Sequence, residues 1–269
     1  MNNLAVRLIT AALVSPLLLA IIYLAPQWGF LILIFAATTI AASELVAMTM
    51  PGRRLQQAWG IAASVAVLAV VYFQPSPLAI VTGLLGLLVL GFLFGLAAPD
   101  PLEAAGPRMA WLVAGPIYTG ATLATVALLR LRDNGGSWVV LVLMLAWLGD
   151  TGGYFAGRAF GRHKLYPKVS PKKTVEGSVG GLLGSMTGAL VAHFWLLPEL
   201  PLVQGLLLAL VAGALGQAGD LMASLVKRST GVKDSGWIIP GHGGILDRID
   251  ALMLTGTTTW LYTAWILDR

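Results

Sequence analysis

The fold class that the sequence predicts is all-α: a polytopic integral membrane protein with about nine transmembrane helices. Three observations predict it. Of the 269 residues, 57% are hydrophobic and only 11% charged, against roughly 25% charged in a soluble domain. Mean hydropathy is +0.82. Charge-free apolar stretches of about 20 residues, the length of one crossing, recur along the chain. The apolar/polar alternation of a barrel is absent. A bilayer leaves the helix as the spanning form of a non-barrel chain.

Cut at Pro, Gly and charged clusters, the chain offers spans at 8–25, 29–49, 57–73, 77–98, 109–129, 137–157, 178–197, 202–222 and 251–267. The first has one Arg and an apolar run without a small-residue cleavage site. It reads as a span rather than a removed signal peptide. Lys and Arg set the orientation. With the N-terminus inside, 14 of the 17 basic residues are cytoplasmic. These are Arg7, Arg53, Arg54, Arg108, the six from Arg158 to Lys173, and Lys227, Arg228, Lys233 and Arg248. Arg130, Arg132 and Arg269 stay outside, and the loop from Arg130 to Asp133 fits least well. Such a skew supports an inward N-terminus. The net charge of +5 then reflects topology and anion binding, with no nucleic-acid partner expected. The absence of cysteine excludes disulfide and thiolate chemistry.

Charge also clusters along the chain. Of 29 charged residues, 16 fall in Asp150–Gly177 and Asp220–Asp250, both on the cytoplasmic side. Residues 1–130 therefore read as scaffold helices, and 131–269 as the helices carrying a cytoplasmic-side active site. Arg53, Arg54 and Arg108 read as topology signals, His163 as a loop residue and His193 as structural or interfacial. Glu44 is balanced between interfacial placement and a pocket role. Small-xxx-small spacings at Gly177, Gly181, Gly184 and Gly188 imply close helix packing, either internal or in a homodimer through the Gly-rich helix 178–197.

Gly149 to Gly181 form the first chemical window. The charge-free run before Asp150 is 16 residues, about 24 Å of helix against a core of roughly 30 Å. Asp150 should therefore sit at the inner boundary, where an ionisable group is a functional candidate. Ser170, Lys172, Lys173 and Thr174 follow, the residue types that a phosphate chain needs. A P-loop motif is absent. The second window begins on a helix, with Asp220, Ser224, Lys227 and Arg228 spaced i, i+4, i+7, i+8 on one face. Asp150, Tyr154, Gly157 and Arg158 repeat that spacing. Lys233, Asp234 and the glycine loop Gly241-His242-Gly243-Gly244 come next, and glycines let backbone approach a ligand closely. Asp247 and Asp250 then open the last span, with Arg248 between them.

The 27 residues from Ser224 to Asp250, SLVKRSTGVKDSGWIIPGHGGILDRID, resemble the signature of the phosphatidate cytidylyltransferases, or CDP-diacylglycerol synthases. SPKKTVEG and GDTGGY resemble further blocks of that family; together the windows cover about a fifth of the chain. The resemblance implies that CTP and phosphatidic acid give CDP-diacylglycerol and pyrophosphate, with a divalent cation. Two anions must meet, so their repulsion has to be cancelled. Mg²⁺ takes one or two carboxylates plus waters and phosphate oxygens. Asp220 and Asp247 are the first-choice metal ligands, with Asp150 and Asp250 next, and a second ion is left open. Lys227, Arg228 and Arg248 are placed for triphosphate or the lipid head; Lys172, Lys173, Ser170 and Thr174 form a second phosphate-binding group. Ser224, Lys233, Asp234, His242, Gly243 and Gly244 complete the expected substrate site, and Asp234 or His242 could meet the cytosine. The acyl chains would stay in the bilayer, and a bacterial inner membrane is the expected location.

Other readings fit less well. A transporter would spread charge through helix centres on both sides. A CDP-alcohol phosphotransferase would carry D-G-x2-A-R…G-x3-D-x3-D, which is missing. A CTP-dependent polyisoprenol kinase is the remaining lipid-head enzyme, and a non-enzymatic scaffold leaves the charged windows unexplained.

Overall fold

The computed structural model describes residues 3–238 and 243–267, with side chains from residue 12 onward. Arg269 lies outside these residues, as does the side chain of Arg7. The chain is helical as expected: α1 Asn3–Leu24, α2 Gln27–Thr49, α3 Arg54–Phe73, α4 Pro77–Leu96, α5 Ala105–Pro116 and α6 Thr122–Arg130. There follow α7 Gly135–Phe160, α8 Val175–Trp195, α9 Leu202–Ser229 and α10 Leu246–Tyr262. One π-helical turn, Ile117–Ala121, joins α5 to α6. Pro116 explains it, because a proline nitrogen cannot donate to the helix ladder and the register shifts around it.

Among the described residues, seven helices are long and apolar enough to cross a membrane. They are α2, α3, α4, the continuous 102–130 helix, α7, α8 and α9. The expectation of nine is not confirmed. At the amino end the described apolar stretch is Ala12–Leu24. At the other end α10 is 17 residues long and has Asp247, Arg248 and Asp250 among its first five. The all-helical expectation also missed a small antiparallel hairpin, β1 Lys164–Tyr166 with β2 Ser170–Thr174, which pairs Lys164 with Thr174 and Tyr166 with Ser170.

The core lies between α2, α6, α7, α9 and α10, where Leu45, Leu123, Leu141, Leu145, Ala212 and Met253 are buried. Buried Trp138 sits against Tyr262, whose hydroxyl donates to Gln204 Oε1 at 2.6 Å. By contrast α4 leaves Leu78, Leu85, Val89 and Leu93 exposed, as a lipid-facing helix should. Burial concentrates in the helices that build the site.

Candidate active site

Glycine sets the first wall. On α7, Gly149, Gly152, Gly153 and Gly157 face α8 at Gly177, Gly180, Gly181 and Gly184. A Cβ on Gly153 would lie 3.2 Å from the Gly177 carbonyl oxygen, and one on Gly152 would run into that of Gly180. The helices therefore meet backbone to backbone. The glycine spacings of 178–197 are thus spent inside the chain. The seam sets the carboxyl end of α7, with Asp150, Tyr154 and Arg158, beside the amino end of α8. Thr174 caps α8 by accepting from the Gly177 amide at 3.1 Å. Glu176 accepts the Arg162 amide at 3.1 Å and holds His163 Nδ1 at 2.6 Å, which pins the turn leading into the hairpin.

That hairpin carries Lys172 and Lys173 to α9. Lys173 Nζ donates to Asp220 Oδ2 at 2.5 Å, while Ser224 Oγ reaches Asp220 Oδ1 at 3.4 Å. One turn further on, Lys227 Nζ donates to Asp247 Oδ1 at 2.5 Å. The other oxygen, Asp247 Oδ2, accepts the amides of Ser235 at 2.8 Å and Gly244 at 3.0 Å. Gly243 adopts φ +81°, and a Cβ there would sit 2.8 Å from Asp247 Oδ2. Burial pushes the Asp247 carboxyl up, but the Lys227 ammonium and the two amides together outweigh it and hold it below the ordinary carboxylate range.

The two windows share one cavity of about 560 Å³ at the end of the bundle where α7 and α9 finish and α8 and α10 begin. Asp150, Asp220, Asp234, Asp247 and Asp250 line it, interleaved with Arg158, Lys172, Lys173, Lys227 and Arg248. Thr174, Tyr154, Ser178, Gln217 and glycines of the seam complete the wall.

Several expected residues lie elsewhere. Arg228 does not line the cavity; its guanidinium donates to the carbonyls of Val169 at 3.4 Å and Val232 at 3.3 Å, bracing the hairpin against the loop. Ser170 pairs with Tyr166 in the hairpin, Ser224 stands behind Asp220, and Lys233 is exposed. Gly243 and Gly244 serve through backbone around Asp247. His242, with Gly241, lies outside the described residues.

Gln217 and Ser178 are cavity residues that the sequence reading passed over, since neutral polar groups in apolar helices carry little signal; Gln217 Nε2 donates to the Ser178 carbonyl at 3.0 Å. Glu44, balanced in the sequence between interfacial placement and a pocket role, has a structural role that neither reading describes. A carboxylate in the apolar run of α2 was the available signal. It is buried and accepts from Ser235 Oγ at 3.0 Å and from the amides of Ile245 at 3.0 Å and Leu246 at 2.8 Å.

The carboxylates test the fit to a divalent cation. Asp150, Asp220 and Asp250 line the same cavity. Yet among the described residues no three acidic, His or Cys groups form a ready metal cluster. This donor set suits Mg²⁺, which binds through one or two carboxylates and completes its shell with water and phosphate oxygens. It does not suit a dedicated all-protein cage.

The sequence model of the cytidylyltransferase family matches residues 5–266. A phosphatidate cytidylyltransferase of Staphylococcus haemolyticus (strain JCSC1435) is 38% identical over 122 residues, 45% of this chain and 47% of that protein. The phosphatidate cytidylyltransferase of Brucella suis biovar 1 (strain 1330) is 34% identical over 193 residues, 69% of this chain and 71% of that one. The match thus spans about half the length of the staphylococcal relatives and over two thirds of the Brucella protein.

Proposed function

The chain belongs to the cytidylyltransferase family, and we propose that it condenses CTP with phosphatidic acid to give CDP-diacylglycerol and pyrophosphate. The observation that carries this reading is the cavity itself, where two charged windows far apart in sequence bring acids and bases together at one end of an apolar bundle. The lipid phosphate oxygen attacks the α-phosphorus of CTP. The bond from that phosphorus to the bridging oxygen of the β-phosphate breaks, and pyrophosphate leaves. No protein nucleophile is needed, so catalysis is positioning and charge neutralisation.

Lys172 and Lys173, on the hairpin, and Arg248 and Lys227, on the opposite wall, hold the phosphates from two sides. Arg158 and Tyr154, joined by a 3.0 Å hydrogen bond, stand on α7 at the rim and suit the lipid head. Asp220 would hold Mg²⁺ together with Asp150 or Asp250, and Asp247 from its clamp. When bound, the cation screens the two phosphates from each other. Asp234 is left to meet the base or ribose. The acyl chains remain in the bilayer beside the bundle.

The Lys/Arg skew supports a cytoplasmic-facing cavity, and the bacterial origin of the relatives is consistent with an inner-membrane protein. A homodimer would need a surface other than the glycine face of α8, which α7 covers.

Purified protein in detergent, given labelled CTP, phosphatidic acid and Mg²⁺, should form a CDP-lipid and release pyrophosphate. Release of CDP with a phosphorylated lipid would instead identify a CTP-dependent kinase, and no turnover with any lipid acceptor would sink the reading.

A further inference from the structure

Glu44 stands on α2, in the half of the chain that the sequence assigns to scaffolding, and its partners lie about 200 residues away. It is 6% exposed. A carboxylate buried in an apolar helix is costly unless donors surround it, so packing alone would favour an apolar residue here. Its donors are specific. The amides of Ile245 and Leu246 belong to the first turn of α10, whose N–H groups have no intrahelical partner. Ile245, the N-cap residue, supplies no side-chain cap. The cap comes from Glu44, at the helix end that favours negative charge. Ser235 closes the arrangement, with its hydroxyl on Glu44 and its amide on Asp247. The backbone lies so close that a Cβ on Gly236 or Gly244 would run into the Glu44 carboxylate.

We propose that Glu44 is a positioning residue for the reaction: it fixes the start of α10 and the flanking glycines so that Asp247, Arg248 and Asp250 face the cavity. It acts through Asp247 and does not itself line the cavity. The proposal rests on the reaction assigned above.

Full-length wild type, Glu44→Gln and Glu44→Ala in detergent provide the test. The readouts are CDP-lipid formation, thermal midpoint and amide exchange in peptides spanning 243–248. Glutamine keeps the shape but turns an NH₂ toward groups that are themselves donors. The expected result is a kcat lower by about tenfold in Glu44→Gln and about a hundredfold in Glu44→Ala, with KM for CTP within about threefold and exchange at Ile245 and Leu246 faster by about tenfold. Wild-type kcat with wild-type exchange in Glu44→Gln overturns the proposal. A loss confined to KM for CTP overturns it too, since that marks direct substrate contact. If Glu44→Ala does not fold, Glu44→Gln decides. A wild type that makes no CDP-lipid removes the reaction, while exchange in Glu44→Gln still tests the clamp.

Discussion

Two lysine–aspartate pairs face the same cavity and differ in how they are held. In Lys173–Asp220 the side chains are 29% and 28% exposed, whereas in Lys227–Asp247 they are 11% and 6% exposed. Lys173 comes from a two-stranded hairpin, and among the described residues Asp220 has one further donor, Ser224 at a long 3.4 Å. Asp247 has two backbone amides besides its lysine. An exposed pair contributes about 0–1 kcal/mol, but removing one partner of a buried pair costs about 3–5 kcal/mol. Under the proposed reaction, the open pair is the one that an incoming phosphate would separate, taking Lys173 and leaving Asp220 for a cation. The closed pair would set the geometry in which that exchange happens.

The contrast can be broken in several ways. Asp247→Asn should have the largest effect. Turnover should fall on the order of a thousandfold, because the carboxylate that holds Lys227 and would help hold the cation is neutralised, and stability should drop by about 3 kcal/mol, read as a lower thermal midpoint. Because its carboxyl is held below the ordinary range, Asp247 contributes stability that is full above that range and is lost as pH falls through its lowered value. The variant should accordingly show a shallower acid limb in a midpoint-versus-pH series. Asp220→Asn should cost about a hundredfold or more in turnover with the midpoint unchanged. Equal destabilisation by the two substitutions would erase the distinction.

Lys173→Ala sharpens it further. About a tenfold loss is expected, mostly in KM for CTP, with no change in midpoint. Arg228→Ala should be mildest, a loss of about threefold that arises from a looser hairpin. Steady-state kinetics checks the loss, and faster amide exchange across 164–174 checks its cause. A loss as large as that of Asp220→Asn would put Arg228 back among the phosphate ligands.

What the sequence could convey follows helix geometry. At about 100° per residue, Lys227 lies roughly 20° from Asp220 around the axis, but Arg228 lies roughly 80° away. The i, i+4, i+7 positions were legible as one face; i+8 was stretched to fit, and in the structure its side chain turns to the hairpin and loop instead. Asp150 was legible because the apolar run before it is too short to bury it. The hairpin was not, because Ser-Pro-Lys-Lys-Thr has no period of two to betray a strand. Glu44 was visible as an anomaly but not as a cap, since its meaning depends on two amides 201 and 202 positions later.

The α7–α8 seam carries one more consequence. Where carbonyl meets glycine there are no rotamers to exchange and no methyl groups to rearrange, so the two helices behave as a single beam. The gap between Asp150 and Thr174 is set largely by main-chain atoms. An alanine at Gly152 would therefore act like a shim, tilting one rail of the cavity away from the other rather than filling a hole.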